Sequence, residues 1–272
     1  FLYYRMFYEK SAFIDGFVSL MKECNQIIMD IYDSDFEIIH KEDTSPLTIA
    51  DEKCNAHICD FLQRINDKLV EGNEIEENSI VIISEEIKND SFEERKQKEW
   101  CWLVDPLDGT KEFVKRNGQF TANIGLTRNG VPVFGFVSIP VSGEIYYGIH
   151  GLGSFKIHDG LCQSLHITQN KDFTKKNVQI IASSSHLNKE TQDFIDSFDS
   201  PVIKNTGSSI TLLWIAENRA DVYPRIAPTS EWDTCAAHAV VKYAGGQVLQ
   251  FESRDELAYN KENLLNPYFI VY

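Results

Sequence analysis

Asp105 and Asp108 stand three residues apart in the stretch WLVDPLDGTKEF (Trp102–Phe113), with Pro106 between them and Gly109-Thr110 directly after. Leu103 and Val104 are apolar and fit the end of a buried strand. Pro106 lacks a backbone donor and fixes one dihedral, so regular structure is expected to stop there. Gly109 permits tight or left-handed backbone and close approach of a ligand. Two carboxylates are thus held on a stiff turn beside exposed amides, an arrangement suited to a hard cation such as Mg²⁺ and to the phosphate such an ion brings. The competing reading is a turn that caps the next segment, since Asp and Gly favour turns in any case.

Other acidic residues fall at predicted element ends. Glu85 follows the apolar run Ile80–Ile83, and Asp233 follows Trp232 in the first turn of a helix, where the helix dipole alone would favour it. Asp51 lies three residues after Thr48, the acidic position of a capping box; the functional alternative sets the same carboxylate at the mouth of a metal site. If Glu85, Asp105, Asp108 and Asp233 converge, they could hold two or three Mg²⁺ ions, with the Leu107 carbonyl as a further oxygen ligand. Gly207-Ser208-Ser209 opens a helix and offers amides for an anion, or is an ordinary Gly-Ser loop. Arg225 in Tyr223-Pro224-Arg225 reads as a phosphate or base contact, or as a surface charge. His186, after Ser183-Ser184-Ser185, reads as a cap or a solvated residue, and His238 as a packed one; none of the seven histidines is assigned as a general base. GxSxG, Walker and HExxH motifs are absent, and GLGSF at Gly151–Phe155 is explained by a turn.

The elements that must position these residues follow from periodicity. Phe13, Phe17, Leu20, Cys24, Ile28 and Ile31 recur at helical spacing. Phe36–His40 reads as extended and Lys41–Ser45 as a polar loop. A second helix starts at the Thr48 cap, with Cys54, Ile58, Phe61, Ile65 and Leu69 inward. Ile80–Ile83 and Trp100–Val104 are strands that deliver the acidic turns. Phe120–Thr127, Val131–Ser138 and Glu144–His150 form an antiparallel meander, turned at Asn129-Gly130 and Ser142-Gly143. From about Gly151 strands and helices alternate: Val178–Ala182, Lys189–Phe198, Val202–Lys204, Ser208–Glu217, Ala220–Tyr223, Glu231–Tyr243 and Gln247–Phe251. An α+β domain over residues 1–150 and an α/β domain over 151–272 are expected, the first carrying most of the acidic cluster and the second the remaining contacts.

The 272 residues are 43% hydrophobic, ample for a core, and carry a net charge of -15. That charge argues against nucleic-acid and anionic-membrane surfaces, and an acidic protein that binds an anionic substrate needs cations at its site. The six cysteines form no CxxC pair, which suits a reduced, cytoplasmic setting. The first ten residues, FLYYRMFYEK, lack the apolar core of a signal peptide, and the longest apolar run, Val131–Val141, is too short and interrupted to span a bilayer. Oligomeric state is not legible in the sequence.

WLVDPLDGTKEF, with SEE upstream and WDTCAAHAVVKYAGG downstream, resembles the magnesium-dependent, lithium-sensitive phosphatases of the inositol monophosphatase superfamily. The longer run DPLDGTKEFVKRNGQFTANIGL, with GSS at 207–209 and YPR at 223–225, is similar to the 3′(2′),5′-bisphosphate nucleotidase branch. The resemblance implies a layered αβαβα sandwich. It implies that Glu85, Asp105, the Leu107 carbonyl, Asp108 and Asp233 hold metal, and that Asp51 and Thr110 orient the attacking water. It further implies that Gly109 and Thr110 bind phosphate, and that Gly207, Ser208, Ser209 and Arg225 contact substrate together with Asp233. Arg225 stands where inositol monophosphatases carry a glutamate, and Lys111-Glu112 replaces their usual Thr-Asn. The implied activity is hydrolysis of 3′-phosphoadenosine 5′-phosphate to AMP, with the 5′-phosphosulfate as a second substrate. An inositol phosphate phosphatase and a non-catalytic nucleotide-binding protein are the alternatives.

Overall fold

The computed structural model describes residues 11–35, 38–40, 46–168, 172–182 and 188–272. The polar loop expected at Lys41–Ser45 and the Ser183–His186 stretch lie outside them. Helix α1 (Ser11–Tyr32) is the first amphipathic helix expected. Strands β1 (Ile38–His40) and β2 (Pro46–Thr48) pair antiparallel and lead into α2 (Ile49–Glu71), which is capped by Thr48. Next come β3 (Ile80–Ser84), a short α3 (Phe92–Arg95), β4 (Trp100–Asp108) and α4 (Thr110–Val114). The meander follows as β5 (Thr121–Arg128), β6 (Val131–Ile139) and β7 (Glu144–Ile149), then β8 (Gly153–His158) and β9 (Leu161–Leu165). These seven strands form one sheet in the order β3-β4-β5-β6-β7-β8-β9, parallel only between β3 and β4. The meander therefore runs on to Leu165, beyond the point where the sequence pattern changes.

The last hundred residues give β10 (Gln179–Ala182), α5 (Lys189–Asp196), β11 (Val202–Asn205), α6 (Ile210–Ala216), β12 (Tyr223–Arg225), α7 (Glu231–Tyr243), β13 (Val248–Gln250) and β14 (Phe269–Val271). β10 and β11 are parallel, as an α/β pattern predicts, but β12, β14 and β13 are antiparallel, and β14 was not expected. A bridge between Ile180 and Val222 joins the two groups.

Burial alternates along the central strand. Trp100, Trp102 and Val104 pack against α1 and α2 with Phe17, Ile28 and Ile58, whereas Cys101 and Leu103 face Leu213, Ile215 and Val240 of α6 and α7. A third core, with Val178, Ile180, Ile195 and Ile270, lies on the far side of the second sheet. The layers are α1/α2, the seven-stranded sheet, α6/α7, the second sheet and α5. This is the αβαβα sandwich, and it follows from strands whose two faces are both apolar.

Helix α7 lies unusually close to the sheet. A Cβ on Gly135 would fall 2.2 Å from the Ala236 carbonyl oxygen, and one on Gly148 would fall 2.4 Å from that of Ala239. Glycines on β6 and β7 and alanines on α7 thus fix the helix position, and with it the position of the acidic first turn.

Candidate active site

Parallel pairing of β3 and β4 brings their C-terminal ends together. The Glu85 amide continues the ladder to the Val104 carbonyl at 3.2 Å, which places its carboxylate beside that of Asp105. Behind Glu85, the Ser84 hydroxyl donates to Asn55 Oδ1 at 2.6 Å, tying this strand end to α2. Pro106 does not stop the strand, contrary to expectation. Pairing slips from Asp105↔Asn123 to Asp108↔Thr121, a bulge that tolerates proline and re-aims side chains. The bulge is held by Leu107 N–H donating to Asp105 Oδ1 at 3.0 Å, and the turn closes at Gly109 with φ of 91°. Only glycine fits there, because a Cβ would also fall 2.9 Å from the Gln119 carbonyl oxygen.

From the other side, α7 supplies Asp233. Its Oδ2 accepts from Ser230 N–H at 2.8 Å, so it caps the helix as the dipole reading anticipated. It also faces the acidic cluster: single oxygens of Glu85, Asp105 and Asp233 all lie within 4.8 Å of one another. Asp108 stands next to this triad. Its Oδ2 accepts from Ser209 N–H at 2.6 Å, Ser209 Oγ at 3.0 Å and Thr121 Oγ1 at 3.4 Å. The Ser209 amide, expected to be open to an anion, is therefore committed to Asp108. The expectation missed this because the acceptor is a hundred residues away.

Electrostatics follow from burial. Asp105 is 1% exposed, and desolvation first, then the charges of Glu85, Asp108 and Asp233, push its pKa well above the carboxylate range. Burial, then the charges of Asp108 and Glu85, does the same to Asp233. Burial raises Asp108 to about 6 even against the Ser209 bonds. Like charges gathered in a largely buried pocket, with carboxylate oxygens converging, fit a hard divalent cation.

Asp51 is 1% exposed, and its two oxygens are divided. Oδ2 accepts from Thr48 N–H at 2.8 Å and Thr48 Oγ1 at 2.7 Å, completing the capping box. Oδ1 accepts from Thr110 Oγ1 at 3.3 Å, a hydroxyl that is also 3.2 Å from the Leu107 carbonyl. Capping and site contact thus coexist in one side chain. Asp51 is the third residue inside the helix.

The cluster opens into a cavity of about 230 Å³ lined by Glu85, Asp105, Asp108, Thr110, Gly207 and Arg225 among others. Arg225 Nη2 donates to the Pro228 carbonyl at 2.9 Å, which holds the guanidinium at the wall. Lys111, Glu112, Thr206, Tyr223, Thr229 and Phe269 also line it. Of these, Thr206, Thr229 and Phe269 carried no signal in the sequence, and Phe269 comes from the unexpected strand β14. His238 is buried, bonded to Tyr259 at 2.9 Å and far from any role in the cavity lining.

This sandwich, with acidic turns at the ends of β3, β4 and the start of α7, is that of a known class: the pattern of the Inositol monophosphatase family matches residues 9–268, and the chain belongs to that family. Enzymes of this family are generally metal-dependent. Within it, the chain is 32% identical over 260 residues to the 3'(2'),5'-bisphosphate nucleotidase CysQ of Escherichia coli (strain K12), covering 95% of this chain and 98% of that one. It is 34% identical over 254 residues to the CysQ of Salmonella typhimurium, covering 93% and 96%. The crystal structure of CysQ from Bacteroides thetaiotaomicron, at 37% identity, superposes with a TM-score of 0.78 over 97% of both chains.

Proposed function

We propose that this chain is a Mg²⁺-dependent 3′(2′),5′-bisphosphate nucleotidase that hydrolyses 3′-phosphoadenosine 5′-phosphate to AMP and phosphate, with the 5′-phosphosulfate as a second substrate. The observation that carries it is the convergence of Glu85, Asp105 and Asp233 within 4.8 Å, beside the Asp51–Thr110 pair. The names of the CysQ relatives point to the nucleotide.

Glu85, Asp105, Asp108, Asp233 and the Leu107 carbonyl would hold two or three Mg²⁺ ions. When bound, these ions would lower the pKa of water and offset negative charge on the phosphate and the leaving oxygen. The protein's own residues supply position and proton transfer. Thr110 Oγ1 accepts a hydrogen bond from the attacking water while donating to Asp51 Oδ1, so the water's proton passes by way of the hydroxyl to the buried carboxylate. The water oxygen attacks phosphorus in line, the bond to the ribose oxygen breaks, and that oxygen takes up a proton. Gly109 and Thr110, at the first turn of α4, present amides without intrahelical partners to the phosphate. Gly207, Ser208 and Ser209 shape the opposite wall, and Ser209 fixes Asp108. Arg225 attracts the anionic nucleotide. In this reading residues 1–150 carry most of the metal ligands, and residues 151–272 carry the substrate contacts and Asp233. Six free thiols suit a cytoplasmic enzyme, and the net charge of -15 suits a small-molecule substrate better than nucleic acid.

The test is phosphate release from 3′-phosphoadenosine 5′-phosphate, the 5′-phosphosulfate, inositol 1-phosphate and inositol 1,4-bisphosphate, with and without Mg²⁺. The nucleotide with Mg²⁺ is expected to turn over fastest. Faster turnover of either inositol phosphate would replace the nucleotidase reading with that of an inositol phosphatase.

A further inference from the structure

The cavity is short of positive charge. Its lining includes the carboxylates Glu85, Asp105, Asp108, Glu112 and Asp233 but, among the described residues, only two cations, Lys111 and Arg225. These two cations sit in different circumstances. Arg225 is anchored on β12 and gives one guanidinium nitrogen to the Pro228 carbonyl. Its guanidinium is already tied to the wall. Lys111 is exposed, in the first turn of α4, and its ammonium has no hydrogen-bond or ion-pair partner among the described residues. It follows Gly109-Thr110 directly, so it stands one residue from the turn assigned to the reacting phosphate.

A bisphosphate poses a geometric problem here. Its two phosphates lie on different arms of one ribose, so they cannot both sit on the carboxylate cluster. The second phosphate must rest against protein groups alone, and near uncovered carboxylates it is repelled unless a cation answers it. The loop facing α4 is close: a Cβ on Gly207 would fall 3.2 Å from Glu112 Cγ, and one on Gly109 would fall 3.3 Å from Ser208 Cβ. The cavity is therefore pinched between α4 and the 206–209 loop at Gly109 and Glu112, and Lys111, next to Glu112 on α4, is the cation of the lining without a partner among the described residues. We infer that Lys111 is the specificity residue for the second, non-reacting phosphate of the substrate, and that it separates bisphosphates from monophosphates. The inference rests on the nucleotidase reading and adds the residue that enforces it.

The test uses the full chain with Mg²⁺ and two substrates that share the reacting ester: adenosine 3′,5′-bisphosphate and adenosine 3′-monophosphate. Wild-type enzyme is expected to show a lower KM for the bisphosphate. Lys111→Met should raise that KM roughly tenfold, the size of one lost charged contact. It should leave kcat, and KM for the monophosphate, unchanged, and Lys111→Arg should restore most of the difference. Because Lys111 is exposed, the thermal midpoint should not move. An unchanged KM for the bisphosphate in Lys111→Met, or an equal rise for both substrates, overturns the inference. Equal KM values for the two substrates in the wild type also overturn it, while leaving a phosphatase. No turnover of the bisphosphate by the wild type removes the nucleotidase reading itself.

Discussion

Two groups of carboxylates in this molecule are balanced in opposite ways. On the sheet's far side, Lys156 of β8 pairs with Glu144 and, at 2.7 Å, with Glu217 at the end of α6, and Tyr146 donates to Glu217 at 3.1 Å. Burial works against the Lys156 charge, but its bonds to Glu144, Glu217 and Tyr146 hold the ammonium well above the usual lysine range. With Arg219 3.3 Å from Glu217, the two cations and two carboxylates there neutralise one another and lock β7, β8 and α6 together. At the ends of β3 and β4, by contrast, buried Asp105 and half-buried Asp108 and Asp233 lie beside Glu85, and the partners they find are mostly backbone and hydroxyl donors. The first region carries its own counter-charge. The second leaves that charge to a ligand, which is what separates a structural ion cluster from a binding site.

The comparison breaks most visibly on metal removal. A chelator should abolish phosphate release and Mg²⁺ should restore it, and Asp105→Asn or Asp108→Asn should eliminate turnover with the fold intact by circular dichroism. Li⁺ should inhibit, and Na⁺ and K⁺ should not. Full activity in excess chelator would make the acidic cluster as structural as the Lys156 one.

A smaller loss is expected at Asp51 and Thr110. Asp51→Asn should lower kcat by roughly 10²–10⁴, and Thr110→Ala should match it. The double variant should be little worse than either, because the two act as one unit. As Asp51 also caps α2, its variant should lose ~0.5–2 kcal/mol of stability that Thr110→Ala does not. A destabilised Asp51→Asn enzyme with wild-type kcat would reduce Asp51 to a cap. Arg225→Ala sits below this: KM for the bisphosphate should rise about tenfold with little change for a small phosphate ester.

The Lys156 region should respond in the reverse sense. Lys156→Met leaves Glu144 without its cation and Glu217 with Arg219 alone, and should cost about 1–3 kcal/mol of stability, with kcat unchanged; calorimetry and a rate assay check both. A further effect concerns pH. Asp108 is raised from 3.8 to about 6, so its contribution to stability is present below pH 3.8 and is lost as pH rises through 6. In chelator, Asp108→Asn should therefore gain stability over wild type progressively between those values, and Mg²⁺ should erase the gain. A constant difference across that pH range would mean that Asp108 is not strained by burial.

Much of the site was legible because its residues are held by local rules. The capping boxes at Thr48/Asp51 and Ser230/Asp233 depend on a three-residue spacing, and the structure contains both. The turn at Gly109 depends on one residue's dihedral freedom, and α7 begins and ends where its periodicity said. Pro106 misled, because a proline that ends an isolated strand is tolerated at a bulge paired to β5. Ser209 misled for a related reason: its amide is open within the loop, and a carboxylate from β4 closes it.

By itself, then, the sequence determined the caps, the acidic positions and most element types, though not strands β8, β9 and β14, since these features depend on neighbours within a few residues. The tertiary structure alone decided that Glu85, Asp105 and Asp233 share one pocket, that Asp51 divides its oxygens between a cap and Thr110, and that β14 brings Phe269 to the wall. These are contacts between residues tens to hundreds of positions apart. Sheet register and the close seat of α7 on Gly135 and Gly148 set them, and neither leaves a local mark in the chain.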